Sequence, residues 1–143
     1  MKTPIRTALL VAILSGVPVC LSSNLASATE TDVQTAIPGT SAEIWPAIDG
    51  HINELHGLIA KGTLSSVHQH AYAVRDLVRA LPTHSQGLSP MALATVSTQV
   101  KFVDTLAVRL DASGDANDKP GTTANLAKLE NILKSIRSQY VAH

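Results

Sequence analysis

The chain is patterned by apolar stripes at helical spacing. Ile44, Ile48, Ile52, Leu55 and Ile59 lie 4, 4, 3 and 4 residues apart, which keeps them on one face of an α-helix. Leu64, Val67, Ala71, Val74, Val78 and Leu81 run 3, 4, 3, 4, 3. Leu93, Val96, Val100, Val103, Ala107 and Leu110 repeat that order, and Leu126, Leu129, Leu133, Ile136 and Tyr140 follow with 3, 4, 3, 4. No segment alternates with period two between turn residues, so strands are not expected. The pattern predicts four helices, A to D, each about 20 residues or about 30 Å long.

Polar punctuation between the stripes sets the expected ends. Thr40-x-x-Glu43 is a capping-box pattern for the start of helix A. Pro46 sits close enough to that start to bend the first turn or to shift the start to Trp45. Gly62 should end helix A, with Lys61 set against the negative end of the helix dipole. Thr63 is the expected cap of helix B, and Pro82 its stop. Ser89 followed by Pro90 opens helix C. The polar, glycine-containing run from Ala112 to Gly121 reads as a loop, with Thr122 or Thr123 capping helix D. Connections this short force consecutive helices to run antiparallel. The expected fold class is therefore all-α, an up-and-down antiparallel four-helix bundle spanning 40–143, with crossings near +20°. Residues 29–39 have no period and read as a flexible lead-in.

The N-terminal segment has a different character. Lys2 and Arg6 precede an apolar stretch from Ala8 to Leu21 that contains Gly16 and Pro18, and Ala26-Ser27-Ala28 follows. This positive, apolar, small-x-small order is that of a cleaved signal peptide, 1–28, with cleavage after Ala28. The stretch is too short to span a bilayer comfortably, so no membrane span is expected in the mature chain. Cys20 follows Val19, where a lipoprotein signal requires a small residue, so it is read as part of the discarded peptide. The expected location is the periplasm.

Composition narrows the function. Eleven basic and eleven acidic residues leave no positive excess for a phosphate backbone, so nucleic acid is not an expected partner. The single cysteine rules out a disulfide framework and a thiolate zinc site within one chain. No Gly-rich phosphate loop or GxSxG occurs, and no nucleophile–base pair can be assembled, so an enzyme is not expected. The loop around Asp111, Ser113 and Asp115 fails as a calcium loop, because Ala116 and Thr122 stand where glycine and glutamate are required.

That leaves the histidines. His51, His56, His68 and His70 all fall in the A–B hairpin, whereas His84 reads as a loop residue and His143 as a terminal one. None of these four pairs with another at the i, i+4 spacing that chelates a metal from one helix, so any site must cross between helices. Counting outward from Gly62, His56 is level with His68, and Glu54 is level with His70, with His51 one turn beyond Glu54. At about 100° per residue, one bundle handedness brings His56 to His68 and the other brings His51 and Glu54 to His70. His51, Glu54 and His70 would make an N/N/O set with an open position. His56 and His68 would make a weaker two-ligand site. Either suits a divalent transition metal such as Cu²⁺, Zn²⁺, Ni²⁺ or Co²⁺. The plainer alternative is that these histidines are boundary residues bonded to carboxylates or carbonyls.

Ile44-Trp45, Ile48, His51, Leu55 and Ile59, followed by Leu64, Val67-His68, Ala71 and Arg75-Asp76-Leu77, resemble a family of small exported helical proteins that accompany bacterial heavy-metal resistance and efflux systems. The likeness covers the A–B hairpin and rests mainly on aliphatic spacing with Trp45, His51 and His68. It implies the setting of a metal-binding accessory protein: a buffer, sensor or chaperone with an efflux or envelope protein as partner. The predicted bundle also resembles periplasmic haem bundles, but there is no CxxCH and helix A has no methionine, so no haem is expected. The competing expectation is a metal-free helical module that docks on an envelope or efflux partner.

Overall fold

A computed structural model describes residues 35–141. The expected signal peptide and cleavage site, with Cys20, lie outside these residues, as does His143. The protein is all-helical: α1 spans Ser41–Lys61, α2 Val67–Ala80, α3 Pro90–Asp115 and α4 Lys119–Val141, with a 3₁₀ turn at Leu64–Ser66 leading into α2. No strand occurs among the described residues. The described part of the lead-in, 35–39, is not helical.

Thr40 caps α1 by accepting from the Glu43 amide at 3.3 Å, and its own hydroxyl donates to Glu43 Oε2 at 2.9 Å. The helix starts at Ser41 and runs through Pro46 rather than beginning at Trp45. The proline takes only the amide that would have bonded to the carbonyl of exposed Ala42, where water can substitute. α1 closes at Gly62 with φ 76°. The Thr63 amide donates to Leu58 and the Gly62 amide to Ile59, the paired bonds of a left-handed helix end. Lys119 Nζ donates to the Ala60 carbonyl at 3.3 Å, placing a second cation at that negative end.

Two boundaries differ from the sequence reading. Thr63 makes no side-chain cap; its hydroxyl points back to the Leu58 carbonyl, and α2 proper begins only at Val67. The expected loop from Ala112 to Gly121 is mostly helix. α3 continues to Asp115 and ends on Asn117, at φ 52°, with Asn117 and Asp118 amides donating to Gly114 and Ser113. The cap of the next helix is Asp118, whose Oδ1 accepts from the Gly121 amide at 3.0 Å. Thr122, read as a possible cap, is fully buried, and its hydroxyl donates to the Asp118 carbonyl. Pro120 costs nothing there, because first-turn amides have no intrahelical partner.

Each helix packs on the next, and α1 also touches α4. The stripes form one core: Ile44, Ile48 and Leu55 from α1, Val74 and Val78 from α2, Val103 and Leu110 from α3, and Leu129 and Ile136 from α4 are all fully buried. Leu77 and Leu106, beside the main stripes, join it. No described helix is long and apolar enough to cross a membrane.

Gly114 explains why a helix carries a glycine at a buried position. A Cβ there would stand 2.8 Å from the Leu64 carbonyl oxygen and 3.3 Å from Val67 Cβ, so its absence lets α3 press against the 3₁₀ turn. Gly50 and Gly57 in α1 face open space. Alanine should therefore act oppositely at these sites. Gly50→Ala should raise stability by about 0.5–1 kcal/mol through helix propensity. Gly114→Ala should lower it by about 1–3 kcal/mol, because a backbone carbonyl must move. Urea unfolding of both variants checks this; a stabilised Gly114→Ala would mean that the contact yields freely.

Candidate functional site

α1 and α2 meet along a seam whose buried side is Ile48, Leu55, Val67, Ala71 and Val74. Polar side chains occupy the flanks, and the four hairpin histidines divide there into three environments.

His51 and His70 meet across the seam. Their Nδ1 atoms are 3.0 Å apart, their ring centroids 5.2 Å apart and their planes inclined by 54°. Both are half-buried. At this separation one ring donates its Nδ1–H and the other accepts with a lone pair, so the neutral rings hold opposite tautomers. Protonating both would turn two N–H groups toward each other. Burial, then the neighbouring His70, lowers the His51 pKa below its ordinary 6.5, while Glu54 opposes them. His51 is thus biased toward neutral imidazole.

Glu54, one turn along α1 from His51, is exposed. Its carboxylate is felt by His51 through space. His56 and His68 are not brought together. His56 Nε2 donates to Glu130 Oε1 of α4 at 2.9 Å, and His68 Nδ1 donates to the Ser65 carbonyl at 2.9 Å. Both match the boundary-residue alternative. His84, beyond the hairpin, ties two segments together: its Nδ1 donates to the Gly39 carbonyl at 2.9 Å and its carbonyl accepts from the Ser41 amide. Among the described residues, no three His, Cys, Asp or Glu side chains converge closely enough to enclose a metal ion.

The register of the pair differs from simple counting about Gly62. His51 is the partner of His70, although it lies three residues farther from the turn than Glu54 does. The 3₁₀ turn supplies part of the offset: its three residues rise about 2.0 Å each against about 1.5 Å in an α-helix, which adds about 1.5 Å, the rise of one α-helical residue.

A concavity of about 280 Å³ is lined by Ser41, Ala42, Trp45, Gln86, Gly87, Leu88 and Tyr140. Trp45 lies edge-on to Tyr140, and the Arg137 guanidinium stacks on its ring at 4.5 Å. Burial pushes the Tyr140 pKa up, and its 2.6 Å hydrogen bond with Ser85 pulls the other way. The lining offers no carboxylate or imidazole.

Comparison with protein-family models, with curated proteins and with solved structures gives no match.

The lowered pKa of His51 has a measurable consequence. Where the unfolded chain binds a proton that the folded chain refuses, acid destabilises the fold. The contribution of His51 is complete above its ordinary value of 6.5 and is lost as pH falls from 6.5 toward the lower folded value. The melting temperature should be flat between about pH 8 and 7 and fall toward pH 5. His51→Gln should flatten that decline; an unchanged profile in the variant would show that His51 does not contribute to it.

Proposed function

We propose that this chain is an exported, periplasmic metal-binding accessory protein of a heavy-metal resistance or efflux system, with the His51–His70 pair as its metal-binding centre. The observation that carries this reading is the 3.0 Å approach of two Nδ1 atoms from different helices. Two converging imidazoles, of which His51 is biased toward neutrality, form the core of a divalent transition-metal site. Glu54 supplies the third ligand after a rotamer change, and water completes the shell. His56 and His68 are secondary, since each already spends one ring nitrogen on another partner.

The architecture is read as an up-and-down antiparallel bundle following a signal peptide. Packing of each helix on the next, together with the α1–α4 contact, supports that topology. The positive, apolar, small-x-small order of residues 1–28 supports export. A metal held by His51 and His70 would staple α1 to α2, so occupancy would be reported as added stability. Such a reversible staple suits a buffer, sensor or chaperone working beside an efflux partner.

Calorimetric titration with Cu²⁺, Zn²⁺, Ni²⁺ and Co²⁺ tests the reading. At metal concentrations about 100-fold above Kd, the added stability is about 2.7 kcal/mol, a rise in melting temperature on the order of 10 °C. His51→Ala/His70→Ala should lose binding, and His56→Ala/His68→Ala should keep it. Absence of heat and of stabilisation with all four metals would leave the metal-free docking module, for which exposed Met91, Phe102 and Val108 on α3 are the supporting feature.

A further inference from the structure

The outward faces of α3 and α4 carry a charge pattern that the balanced totals conceal. Lys101 and Arg109 on α3 and Lys128 and Lys134 on α4 are exposed. None of the four has a carboxylate partner among the described residues. The carboxylates of the same helices are turned into the seams. Asp104 bonds to Arg79 of α2, Asp111 accepts from Tyr72 of α2, and Glu130 bonds to His56 of α1. Asp115 and Asp118 stand at the α3–α4 junction, at one end of the face.

The large exposed apolar side chains lie on α3 as well: Met91 is 81% exposed, Phe102 55% and Val108 55%. Two bonds set the register between the helices. Gln99 donates to Ser135 Oγ, and Asn125 donates to the Arg109 carbonyl, so α3 and α4 run antiparallel there. Phe102 is therefore level with Ile132 of α4, with Lys128 and Lys134 to either side of that level. Lys101 is its neighbour on α3, and Arg109 lies two turns on. One protruding aromatic ring thus stands among unpaired cations.

We infer that the outward α3–α4 face docks on an anionic phospholipid surface, with Phe102 entering between head groups and the four cations meeting phosphates. This stands apart from the metal reading, which concerns the α1–α2 seam. Charge complementarity sets the sign of the partner. Each cation held near an anionic leaflet strengthens binding about fivefold, so four favour it over a neutral one by on the order of several hundredfold. Geometry sets the kind of partner. Two helices side by side form a flat face, and other outward positions are small, as at Ala94, Ser97, Thr105, Ala124 and Ala127. Along α3, Met91 and Phe102 are about 16 Å apart, and Phe102 and Val108 about 9 Å. A protein interface is built around a continuous apolar core. Separate apolar points among long cationic side chains suit the bilayer interface, where lysine stems lie along apolar surface and their heads stay in water. No described helix is long and apolar enough to cross a membrane, so the association is peripheral.

Cosedimentation with vesicles tests the inference. The chain from residue 29 on is used, because the apolar N-terminal segment would enter vesicles by itself. All core residues lie within it, and helical circular dichroism verifies the fold of each variant. With chelator present, it should bind vesicles of phosphatidylglycerol and phosphatidylcholine in equal parts, and bind pure phosphatidylcholine at least tenfold more weakly. Binding should disappear at about 1 M salt, where the screening length falls to about 3 Å. Lys128→Glu should weaken binding at least tenfold and Phe102→Ser several-fold. Lys61→Glu, which changes the net charge equally but lies at the end of α1, should leave it unchanged. Failure to bind the anionic vesicles, equal binding to neutral ones, or equal loss in Lys61→Glu would overturn the inference. Binding to polyglutamate as tight as to vesicles, and unaffected by Phe102→Ser, would assign the face to an acidic protein and overturn it too.

Discussion

The tight connection between α1 and α2 is the constraint on which the rest depends. Gly62 can take its left-handed φ of 76° at no steric cost, so α1 stops there and the chain reverses within a few residues. The 3₁₀ turn then carries Leu64 into the core and sets the register of α2. That register decides which flanking residues meet. It puts His51 against His70 and leaves His56 to find Glu130 on α4. The turn is itself held from outside by α3, which reaches the Leu64 carbonyl through the missing side chain of Gly114. The geometry of the histidine pair is thus fixed partly by a residue in another helix, fifty positions from Leu64.

Elsewhere the seams carry polar ties that fix orientation more than they add stability. Tyr72 of α2 donates to Asp111 of α3 at 2.6 Å, and that bond, with burial behind it, pushes the phenol up to about 12. Arg75 covers the same ring at 4.4 Å, and Arg79 reaches Asp104 at 2.7 Å. Arg137 of α4 bonds to Asp49 of α1 while it stacks on Trp45. Exposed ion pairs of this kind are typically worth about 0–1 kcal/mol. The aliphatic core supplies the driving force, and the ties select one register of helix against helix.

The helices were legible because each stripe has a single period and most of its members prove buried, with Ile52, Leu93, Val100 and Tyr140 only partly so. The caps at Thr40, Gly62 and Ser89 were equally legible, since each residue acts through its own backbone neighbourhood. The α3–α4 junction was not. Gly114 and Gly121 look like loop residues in sequence, but one is a packing contact and the other lies in the first turn of α4. Asn117, which takes the left-handed position, carries a weaker signal than glycine. The histidine pair was legible as one of two alternatives. Choosing between them required the hand of the packing, which residue counting does not provide. The bonds of His56 to Glu130 and of His84 to Gly39 depend on long-range docking and left no local trace.

The position of His51 and His70 also accounts for how such a site can coexist with an ordinary core. A fully buried imidazole pair would leave ring nitrogens without partners, at a cost of about 1–3 kcal/mol for each unsatisfied group. A fully exposed pair would be hydrated and free to separate. At the edge of the seam, the facing Nδ1 atoms satisfy each other while the half-buried rings remain within reach of solvent. The proton shared between the two nitrogens engages the lone pairs that the proposed metal ion would need. The fold rests on Ile48, Leu55, Ala71 and Val74, and the two histidines stand beside them without interrupting the core. Any change at the His51–His70 contact acts first on the seam between α1 and α2, the same seam that the Gly62 turn establishes.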